Sequence, residues 1–310
     1  MKPVCVLGPT ASGKSSVAME VARHRDDVEL VSVDSMQVYR GMDIGTAKPT
    51  RVEQTEVAHH LIDIADPDEA FTAGEFQRAW RRVATEMQQR DKVPLLVGGT
   101  GLYLRAVVDN LEFPDQFPEI RQALENELEV GLAPERLHER LAKLDPLGAS
   151  RMEPTNERRV VRALEVTIGS GRPFSSFGPG LEQYGDVPFR LIGIDLEPEF
   201  LDWRIAQRYR EQMESGFLAE AEQLLVRPNG VGRTARQALG YRELFSHLEQ
   251  GRPLDLALDD AIVRTRRFAR RQRKWHRRDP RIEWHRPDRS GELDYSEVVN
   301  RVAALIDTPY

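Results

Sequence analysis

Short apolar runs alternate with longer amphipathic stretches along the first hundred residues. Runs rich in valine and leucine lie at 4–7, 30–33 and 93–97, and such runs are typical of strands buried in a parallel sheet. A helical pattern follows the first run, from Lys14 to about Arg25, and another precedes the third, from about 74 to 90. This alternation of strands and helices predicts a parallel α/β sheet.

A fourth apolar run, at 191–195, comes much later, and the interval before it has a different pattern. Prolines punctuate charged amphipathic segments there, and no strand-like run interrupts them. We therefore predict a helical insertion over 114–189 that divides an α/β core made of 1–113 and 190–310. Beyond the fourth run the pattern is helical again.

The composition suits a globular protein and argues against disorder or a fibrous repeat. The 310 residues are 40% hydrophobic and 30% charged, enough for one sizeable core and a smaller second lobe. Cys5 is the single cysteine, which excludes an internal disulfide and a cysteine zinc cluster, and no apolar run approaches the roughly 20 residues of a membrane span. We expect a soluble, cytoplasmic protein that does not contact membranes and acts as a monomer.

Charge is distributed unevenly along the chain. The net charge of −6 argues against a uniformly basic nucleic-acid binder, yet the segment 264–278 carries nine arginine and lysine residues and no acid. Without those nine, the chain has 35 bases against 50 acids, a net charge of −15. As a helix, the segment would place Phe268, Gln272 and Trp275 on a docking face and arginines elsewhere, to meet polyphosphate or nucleic acid. The alternative is a solvated face paired with acidic neighbours.

A phosphate-binding motif directly follows the first predicted strand. The motif G-x-x-x-x-G-K-[ST] is matched by Gly8, Pro9, Thr10, Ala11, Ser12, Gly13, Lys14 and Ser15. Converging backbone N–H groups and the helix dipole favour an anion, Lys14 adds a point charge, and Ser15 can ligate Mg²⁺. The motif predicts a phosphorylated ligand and magnesium without specifying a reaction.

Other candidate groups lie at strand ends, on the edge where open parallel sheets bind ligands. Asp34 follows the second strand, where a carboxylate can ligate magnesium indirectly, accept a proton or cap a turn. The glycine-rich turn 98–101 follows the third strand and is expected to line the same cleft. His59, His60 and Asp63 indicate a metal site only weakly, because adjacent side chains share neither a helix face nor a strand face.

Together these motifs resemble the bacterial tRNA dimethylallyltransferase (tRNA isopentenyltransferase) family. In the family's order and spacing, the phosphate loop is followed by VDSMQVYRGMDIGTAKP at 33–49, HHLID at 59–63, GGTGLY at 98–103, RALEV at 162–166 and QALGYR at 237–242. The resemblance runs from about residue 4 to Trp284, and the block around Asp34 is its most specific part.

The resemblance implies a reaction and a fold. Such enzymes transfer the dimethylallyl group of dimethylallyl diphosphate to N6 of the adenosine immediately 3′ of the anticodon in tRNA, and they release pyrophosphate. The implied fold is α/β, with a P-loop NTPase-like parallel sheet core and a mainly helical insertion. The phosphate loop of these enzymes holds the prenyl diphosphate, although the motif is often classed as an ATP-binding, nucleotide-binding site, and no ATP hydrolysis is implied.

Roles for individual residues also follow from the resemblance. It implies that the phosphate loop binds the diphosphate, that Asp34 is the general base, and that Arg208 clamps the leaving pyrophosphate alongside Lys14. Thr100 would lie in the reaction channel. Contacts with tRNA are implied for Asp34, Ser35, Met36, Gln37, Thr100, Arg121, Arg158, Arg159, Val160, Val161, Arg162 and Gln237.

The chemistry fits these residue types independently of the family. Negative charge that develops on the leaving oxygen can be stabilised by backbone amides, Lys14, Arg208 and Mg²⁺ on Ser15. A carboxylate can take the proton of the weakly nucleophilic adenine amine.

Two other functions remain open at this point. One is a small-molecule kinase, since such enzymes also follow a phosphate loop with an aspartate at a strand end. The other is a non-catalytic RNA-binding module.

Overall fold

The computed structural model describes residues 3–178, 180–288 and 293–308. Within them, six strands form one parallel sheet in the order β3-β2-β4-β1-β5-β6. The strands are β1 (Val4–Leu7), β2 (Val28–Val33), β3 (His59–His60), β4 (Val93–Gly98), β5 (Arg190–Ile194) and β6 (Ile282–His285). The predicted fold class, a parallel α/β sheet, is confirmed.

The helices before and within the insertion are α1 (Lys14–Arg23), α2 (Arg51–Glu56), α3 (Ala73–Gln89), α4 (Gly101–Val108), α5 (Pro118–Glu129), α6 (Pro134–Leu144), α7 (Pro146–Ser150) and α8 (Glu157–Ser170). Those after it are α9 (Pro198–Glu214), α10 (Phe217–Leu225), α11 (Tyr241–Gln250), α12 (Leu254–His276) and α13 (Tyr295–Asp307). None of the helices among the described residues is long and apolar enough to span a membrane.

The chain divides into two compact units. The sheet unit comprises Met1–Asp109 and Asp186–Tyr310, and the helical unit comprises Asn110–Gly185. The helical unit thus begins and ends four residues before the insertion bounds of 114 and 189 read from the sequence.

The sheet unit has its core where the valine-rich strands meet the flanking helices. All four residues of β1 are buried, because this strand lies between β4 and β5. Val17 and Val21 of α1 and Val298 and Val302 of α13 pack into the same apolar cluster. Burial on both faces explains why these strands appear as continuous apolar runs in the sequence.

The helical unit explains the prolines of the interval. Pro118, Pro134 and Pro146 each occupy the first turn of a helix, where the missing N–H has no intrahelical partner to lose. Its core is built from Leu124, Leu137, Leu141, Val160, Val161 and Leu164, together with smaller neighbours.

Two strands of the sheet were not predicted from the sequence. β3 has only two residues, and β6 lies in a region that the sequence pattern presented as helical. Both are edge strands, and only Ile282 of β6 is buried. An edge strand with mixed polarity produces no apolar run, which is why the pattern missed it.

Candidate active site

The phosphate loop connects β1 to α1 and leaves the start of that helix uncapped. Gly13 has a left-handed backbone, with φ of 89°, and Ala11 has φ of 64°. No side chain caps the N-terminus of α1. The N–H groups of its first turn are therefore available to an anion, and the helix dipole favours one there.

Two cationic side chains face this loop. Lys14 donates from Nζ to the carbonyl oxygen of Pro9 at 3.2 Å. Arg208, on α9, donates from Nη1 to Oγ1 of Thr10 at 2.7 Å. The Nε of Arg208 and the Oγ of Ser12 are buried without a hydrogen-bond partner among the described residues. Buried donors with unmet hydrogen bonds fit a phosphate ligand.

Electrostatics connect Lys14 with Arg208 and Asp34. Burial lowers the pKa of Lys14 to about 8, with the charge of Asp34 opposing that change and the charge of Arg208 adding to it. Burial also lowers the pKa of Arg208, and Asp34 again opposes it. The structure thus brings together the three residues for which a direct part in the reaction was predicted.

Asp34 follows β2, and its two carboxylate oxygens have different surroundings. Its Oδ1 accepts from the backbone N–H of Met36 at 2.8 Å and of Gln37 at 3.3 Å, so the carboxylate caps a turn. Its Oδ2 has no hydrogen bond from any described residue, which leaves that oxygen available as a proton acceptor. The N–H of Ser35 donates to Oγ1 of Thr100 at 3.1 Å, and this bond joins the turn of Asp34 to the glycine-rich turn.

The side chain of Gln37 is used inside the chain. Its Oε1 accepts from Ser32 at 2.7 Å, and its Nε2 donates to the carbonyl oxygens of Thr46 and Ala47 at 3.1 and 3.0 Å. Both ends of the amide therefore fix the loop that follows Asp34. A contact of Gln37 with tRNA would have to use its backbone or break these bonds.

The rest of that loop is fixed by buried polar groups. Lys48, whose side chain is 1% exposed, bonds the carboxylates of Asp43 and Asp63 at 2.5 and 2.6 Å. Glu220 of α10 accepts from the consecutive N–H groups of residues 43 to 45. His60 pairs with Glu29 at 2.6 Å, and no cluster of three or more histidine, cysteine, aspartate or glutamate residues that could hold a metal ion exists among the described residues.

The turn 98–101 packs tightly against the phosphate loop and α12. A Cβ on Gly99 would lie 2.5 Å from Nε2 of Gln272 and 2.9 Å from the carbonyl oxygen of Gly8, and one on Gly101 would lie 2.2 Å from Nε1 of Trp275. Only glycine fits at these positions. The two glycine-rich turns therefore lie side by side, as expected from their places on the sheet edge.

Gln272 was predicted only as part of a docking face, and the structure gives it a more specific place. Its Oε1 accepts from the N–H of Thr10, and its Nε2 donates to the carbonyl oxygen of Gly99, both at 2.9 Å. His276, one turn further along α12, also bonds Gly99 at 3.2 Å. Helical periodicity could indicate that Gln272 is buried, but not which two turns it joins.

Sequence reasoning missed Tyr295 and Arg204. The hydroxyl of Tyr295, at the start of α13, donates to the carbonyl oxygen of Ser12 at 2.9 Å, and its ring lies against Gly13. Arg204 of α9 donates to the same hydroxyl at 2.9 Å. No local motif surrounds either residue, so these supports of the phosphate loop are visible only in three dimensions.

The predicted tRNA contacts of the helical unit differ in exposure. Arg158 and Arg159 are exposed. Arg162 and Arg121 are half-buried, and each is paired with an acid: Arg162 donates to Glu165 at 2.7 Å, and Arg121 donates to Glu125 at 3.0 Å.

Val160 and Val161 were expected to contact tRNA, but they are 0% and 3% exposed in the core of this unit. Their side chains pack the helix α8 and cannot reach a ligand. Gln237, in the sheet unit, is exposed and is the last residue of a short 3₁₀ turn.

Known protein families match the chain over most of its length. The family model described as IPP transferase matches residues 37–279. A tRNA dimethylallyltransferase of Nocardioides sp. is 43% identical over 98% of this chain and 96% of its own length. One of Salinispora tropica is 45% identical over 97% of this chain and 93% of its own length.

Solved structures show the same likeness. The full-length tRNA isopentenylpyrophosphate transferase of Bacillus halodurans superposes with a TM-score of 0.69 at 35% identity, covering 98% of this chain and 95% of that one. A eukaryotic dimethylallyltransferase, described as acting on tRNA, superposes with a TM-score of 0.76 at 25% identity, covering 92% of this chain and 73% of that one. The P-loop NTPase-like core expected from the sequence is thereby confirmed.

Proposed function

The chain belongs to the IPP transferase family, and on that premise we propose that it transfers the dimethylallyl group of dimethylallyl diphosphate to N6 of the adenosine 3′-adjacent to the anticodon in tRNA. The observation that carries this proposal is the convergence of Lys14 and Arg208 on the phosphate loop, with Asp34 electrostatically coupled to both. Two cations suit a diphosphate that leaves, and a nearby carboxylate suits an amine that loses a proton. Family membership favours this reaction over a small-molecule kinase.

The diphosphate end of the donor would bind the phosphate loop. The uncapped N–H groups of α1, Lys14 and the unpartnered Nε of Arg208 supply donors for its oxygens. During reaction the allylic C–O bond breaks and its electron pair goes to the diphosphate. These donors then stabilise the negative charge that develops on the leaving oxygen.

A magnesium ion fits this donor set only together with the diphosphate. Among the described residues no carboxylate, histidine or cysteine cluster could hold a metal by itself, but the exposed Ser15 is the second residue of α1, beside the proposed anion site. Mg²⁺ bound through one hydroxyl and the donor's phosphate oxygens is a usual arrangement for this ion. When bound, it would neutralise part of the charge on the leaving group.

The acceptor end would use Asp34. The adenine N6 forms a bond to the allylic carbon, and its proton passes to the free Oδ2 of Asp34, while the bonds from Met36 and Gln37 keep Oδ1 in place. To reach this carboxylate the adenine must leave the stack of the anticodon loop. Ser35, Met36 and Thr100 border the place it would occupy.

Further contacts with tRNA are proposed for exposed polar side chains. Arg158 and Arg159 of the helical unit, and Gln237 of the sheet unit, are free to meet RNA. Arg121 and Arg162 would have to share their guanidinium groups with Glu125 and Glu165. We expect them to contribute less to affinity than the exposed pair, because a group already paired gains less from a phosphate.

We also propose that the protein is a cytoplasmic monomer. Cys5 is 1% exposed, and burial raises the pKa of its thiol, so it is available neither for intermolecular disulfides nor for redox chemistry. Light scattering on the purified protein tests the monomer, and a dimer that persists on dilution would contradict it.

A transfer assay tests the function directly. The purified protein is incubated with undermodified tRNA, Mg²⁺ and labelled dimethylallyl diphosphate, and the modified nucleoside is mapped by mass spectrometry. We expect label on one adenosine next to the anticodon, with pyrophosphate released and ATP not required. Phosphorylation of a metabolite at the expense of ATP would support the kinase instead, and tRNA binding without turnover would support an RNA-binding module.

A further inference from the structure

The nine basic residues of 264–278 fall into two groups by their partners. Five pair with acids of the sheet unit: Arg264, Arg266, Arg270, Arg273 and Arg277. The other four are exposed and have no acidic partner in the part of the chain that the structure describes: Arg267, Arg271, Lys274 and Arg278. The two readings of this segment, a nucleic-acid surface and an acid-paired face, thus apply to different residues.

The paired group is part of the packing of α12. Asp202 of α9 bonds Arg270 at 2.6 Å, and Asp195, at the end of β5, bonds Arg273 at 2.5 Å and Arg277 at 2.6 Å. The side chain of Asp195 is fully buried. A phosphate that approached these arginines would compete with carboxylates already in place, so they are poorly suited to bind RNA.

The unpaired group forms a continuous basic stripe. Its members recur at intervals of four, three and four residues, so Arg267, Arg271 and Lys274 lie in one row along α12, and Arg278 follows in the turn just after the helix. The paired arginines from 266 to 277 recur in the same way, offset by one residue and therefore by about 100° around the helix axis. No salt bridge among the described residues involves a member of the basic stripe, although Asp260, which forms its salt bridge with Arg252, interacts electrostatically with Arg267.

The position of the basic stripe around α12 can be related to the candidate active site through the neighbouring residue Trp275. Around α12 it lies beside Trp275, whose indole nitrogen packs against Gly101. Gly101 follows Thr100, which accepts the hydrogen bond from Ser35 beside Asp34. A polyanion held along the stripe would therefore lie beside Trp275, which contacts the turn that carries Thr100.

We propose that Arg267, Arg271, Lys274 and Arg278 bind consecutive phosphates of the tRNA anticodon arm, and that their acid-paired neighbours on α12 do not. This inference rests on the proposed function for the identity of the RNA. Four charges without a salt-bridge partner, in a row over about three helical turns, match the regular spacing of charge on a nucleic-acid backbone. The contacts carry no sequence information and serve to hold the RNA while the adenine enters the site.

The chain supplies its own matched controls, because each stripe residue directly follows an acid-paired arginine. The experiment compares Arg267→Gln with Arg266→Gln, Arg271→Gln with Arg270→Gln, Lys274→Gln with Arg273→Gln, and Arg278→Gln with Arg277→Gln. Each pair removes the same charge from adjacent positions, three pairs within α12 and the fourth in the turn that follows it. For every variant, tRNA affinity is measured as a function of salt, and the thermal midpoint and the kinetics of transfer are recorded.

We expect each stripe variant to reduce the slope of log affinity against log salt by about 0.7 to 0.9, the value for one lost phosphate contact. The KM for tRNA should rise while the donor KM and the thermal midpoint stay unchanged. The control variants should lower the thermal midpoint and leave the salt slope intact. Equal slopes in both sets, or no change in a variant lacking all four stripe residues, would overturn the proposal.

The two proposals fail in different ways. If the wild-type protein transfers no prenyl group, yet the stripe variants alone weaken tRNA binding, the stripe survives and the proposed reaction does not. If transfer occurs with an unchanged KM for tRNA in every stripe variant, the reaction survives and the stripe does not.

Discussion

At the scale of single residues, Asp34 caps a turn with one carboxylate oxygen and leaves the other open for its proposed role as general base. One oxygen is committed to the turn through Met36 and Gln37, and the other faces the site without a partner. The two roles are separable, because an asparagine in this place keeps an acceptor oxygen for the turn but cannot take a proton. The choice between a turn cap and a base, which the sequence left open, therefore becomes a question for mutagenesis.

We predict that Asp34→Asn lowers kcat by about 10²- to 10⁴-fold, the usual contribution of a positioned general base, while tRNA affinity changes little. Asp34→Ala should lose both the base and the turn cap, and so show an additional loss of affinity or stability. Single-turnover transfer and equilibrium tRNA binding separate these effects. A parallel loss of turnover and affinity in Asp34→Asn would refute the assignment of the base.

Lys14 makes donor binding sensitive to alkaline pH. Burial lowers its pKa to about 8, so that in the free enzyme the ammonium group is charged below that pH and increasingly neutral above it. The proposed diphosphate site requires the charged form of Lys14, so binding at a pH above about 8 must be accompanied by uptake of a proton. We predict that the donor KM is flat below about pH 8 and rises by up to tenfold per pH unit above it.

The control for Lys14 is Lys14→Arg, whose guanidinium stays charged throughout this range. Its donor KM should be higher than that of the wild type but nearly independent of pH from 7 to 9.5. A wild-type donor KM that does not change across this range would show that Lys14 is not the group that limits binding.

At the scale of elements, α12 does more than carry charge, because its buried face fixes the two glycine-rich turns relative to each other. Gln272 bonds Thr10 in one turn and Gly99 in the other. We predict that Gln272→Met, which keeps the length of the side chain and loses both hydrogen bonds, raises the donor KM and lowers kcat with tRNA affinity unchanged. The loss of stability should be about 1–3 kcal/mol, as for other buried polar groups left unpaired.

The matched control for this variant is Gln88→Met at an exposed position of α3, which should change nothing. A purely structural role for Gln272 would lower the thermal midpoint and the active fraction while the donor KM of the folded enzyme stayed normal. That result would remove Gln272 from the set of residues that position the phosphate loop.

The strands also show what the sequence could reveal about elements. β1, β2, β4 and β5 were predicted to within two residues at each end because burial on both faces gives each of them a continuous apolar run. β3 and β6 form at the edges, where pairing with a neighbour decides the conformation and the local pattern does not.

The same distinction applies to the site. Lys14 and Ser15 lie in a contiguous motif, and Asp34 lies at a predictable strand end, so local sequence was enough to select them. The bond between Arg208 and Thr10 spans 198 positions, and the bond between Gln272 and Thr10 spans 262. Contacts over such separations depend on how helices cross the sheet edge, and only a family resemblance indicated Arg208 in advance.

At the scale of the whole molecule, one buried histidine couples the candidate site to the pH dependence of stability. His276 is 2% exposed, and its Nε2–H donates to the carbonyl oxygen of Gly99. Burial lowers its pKa to about 4, with the charge of Lys14 acting in the same direction. The folded protein therefore holds this imidazole neutral, beside the turn that carries Thr100.

The sign of the pH effect follows from that direction. The unfolded chain has an ordinary histidine pKa near 6.5, so acid protonates the unfolded state first and favours it. The contribution of His276 to stability is complete above about pH 6.5 and is lost as the pH falls towards 4. The size of the loss is on the order of 3 kcal/mol at most.

We predict that the difference in unfolding free energy between the wild type and His276→Gln changes by this amount between pH 7 and pH 4. The glutamine keeps an N–H group for Gly99 and does not titrate, so this difference isolates the ionisation of His276.

Tryptophan fluorescence is the appropriate probe, since Trp80, Trp203, Trp275 and Trp284 all lie in the sheet unit and report nothing of the helical unit. Far-ultraviolet circular dichroism guards against direct quenching of Trp275 by its neighbour. The exposed His24, replaced by glutamine, is the matched control. A wild-type curve that runs parallel to that of His276→Gln over this range would show that His276 titrates normally in the fold.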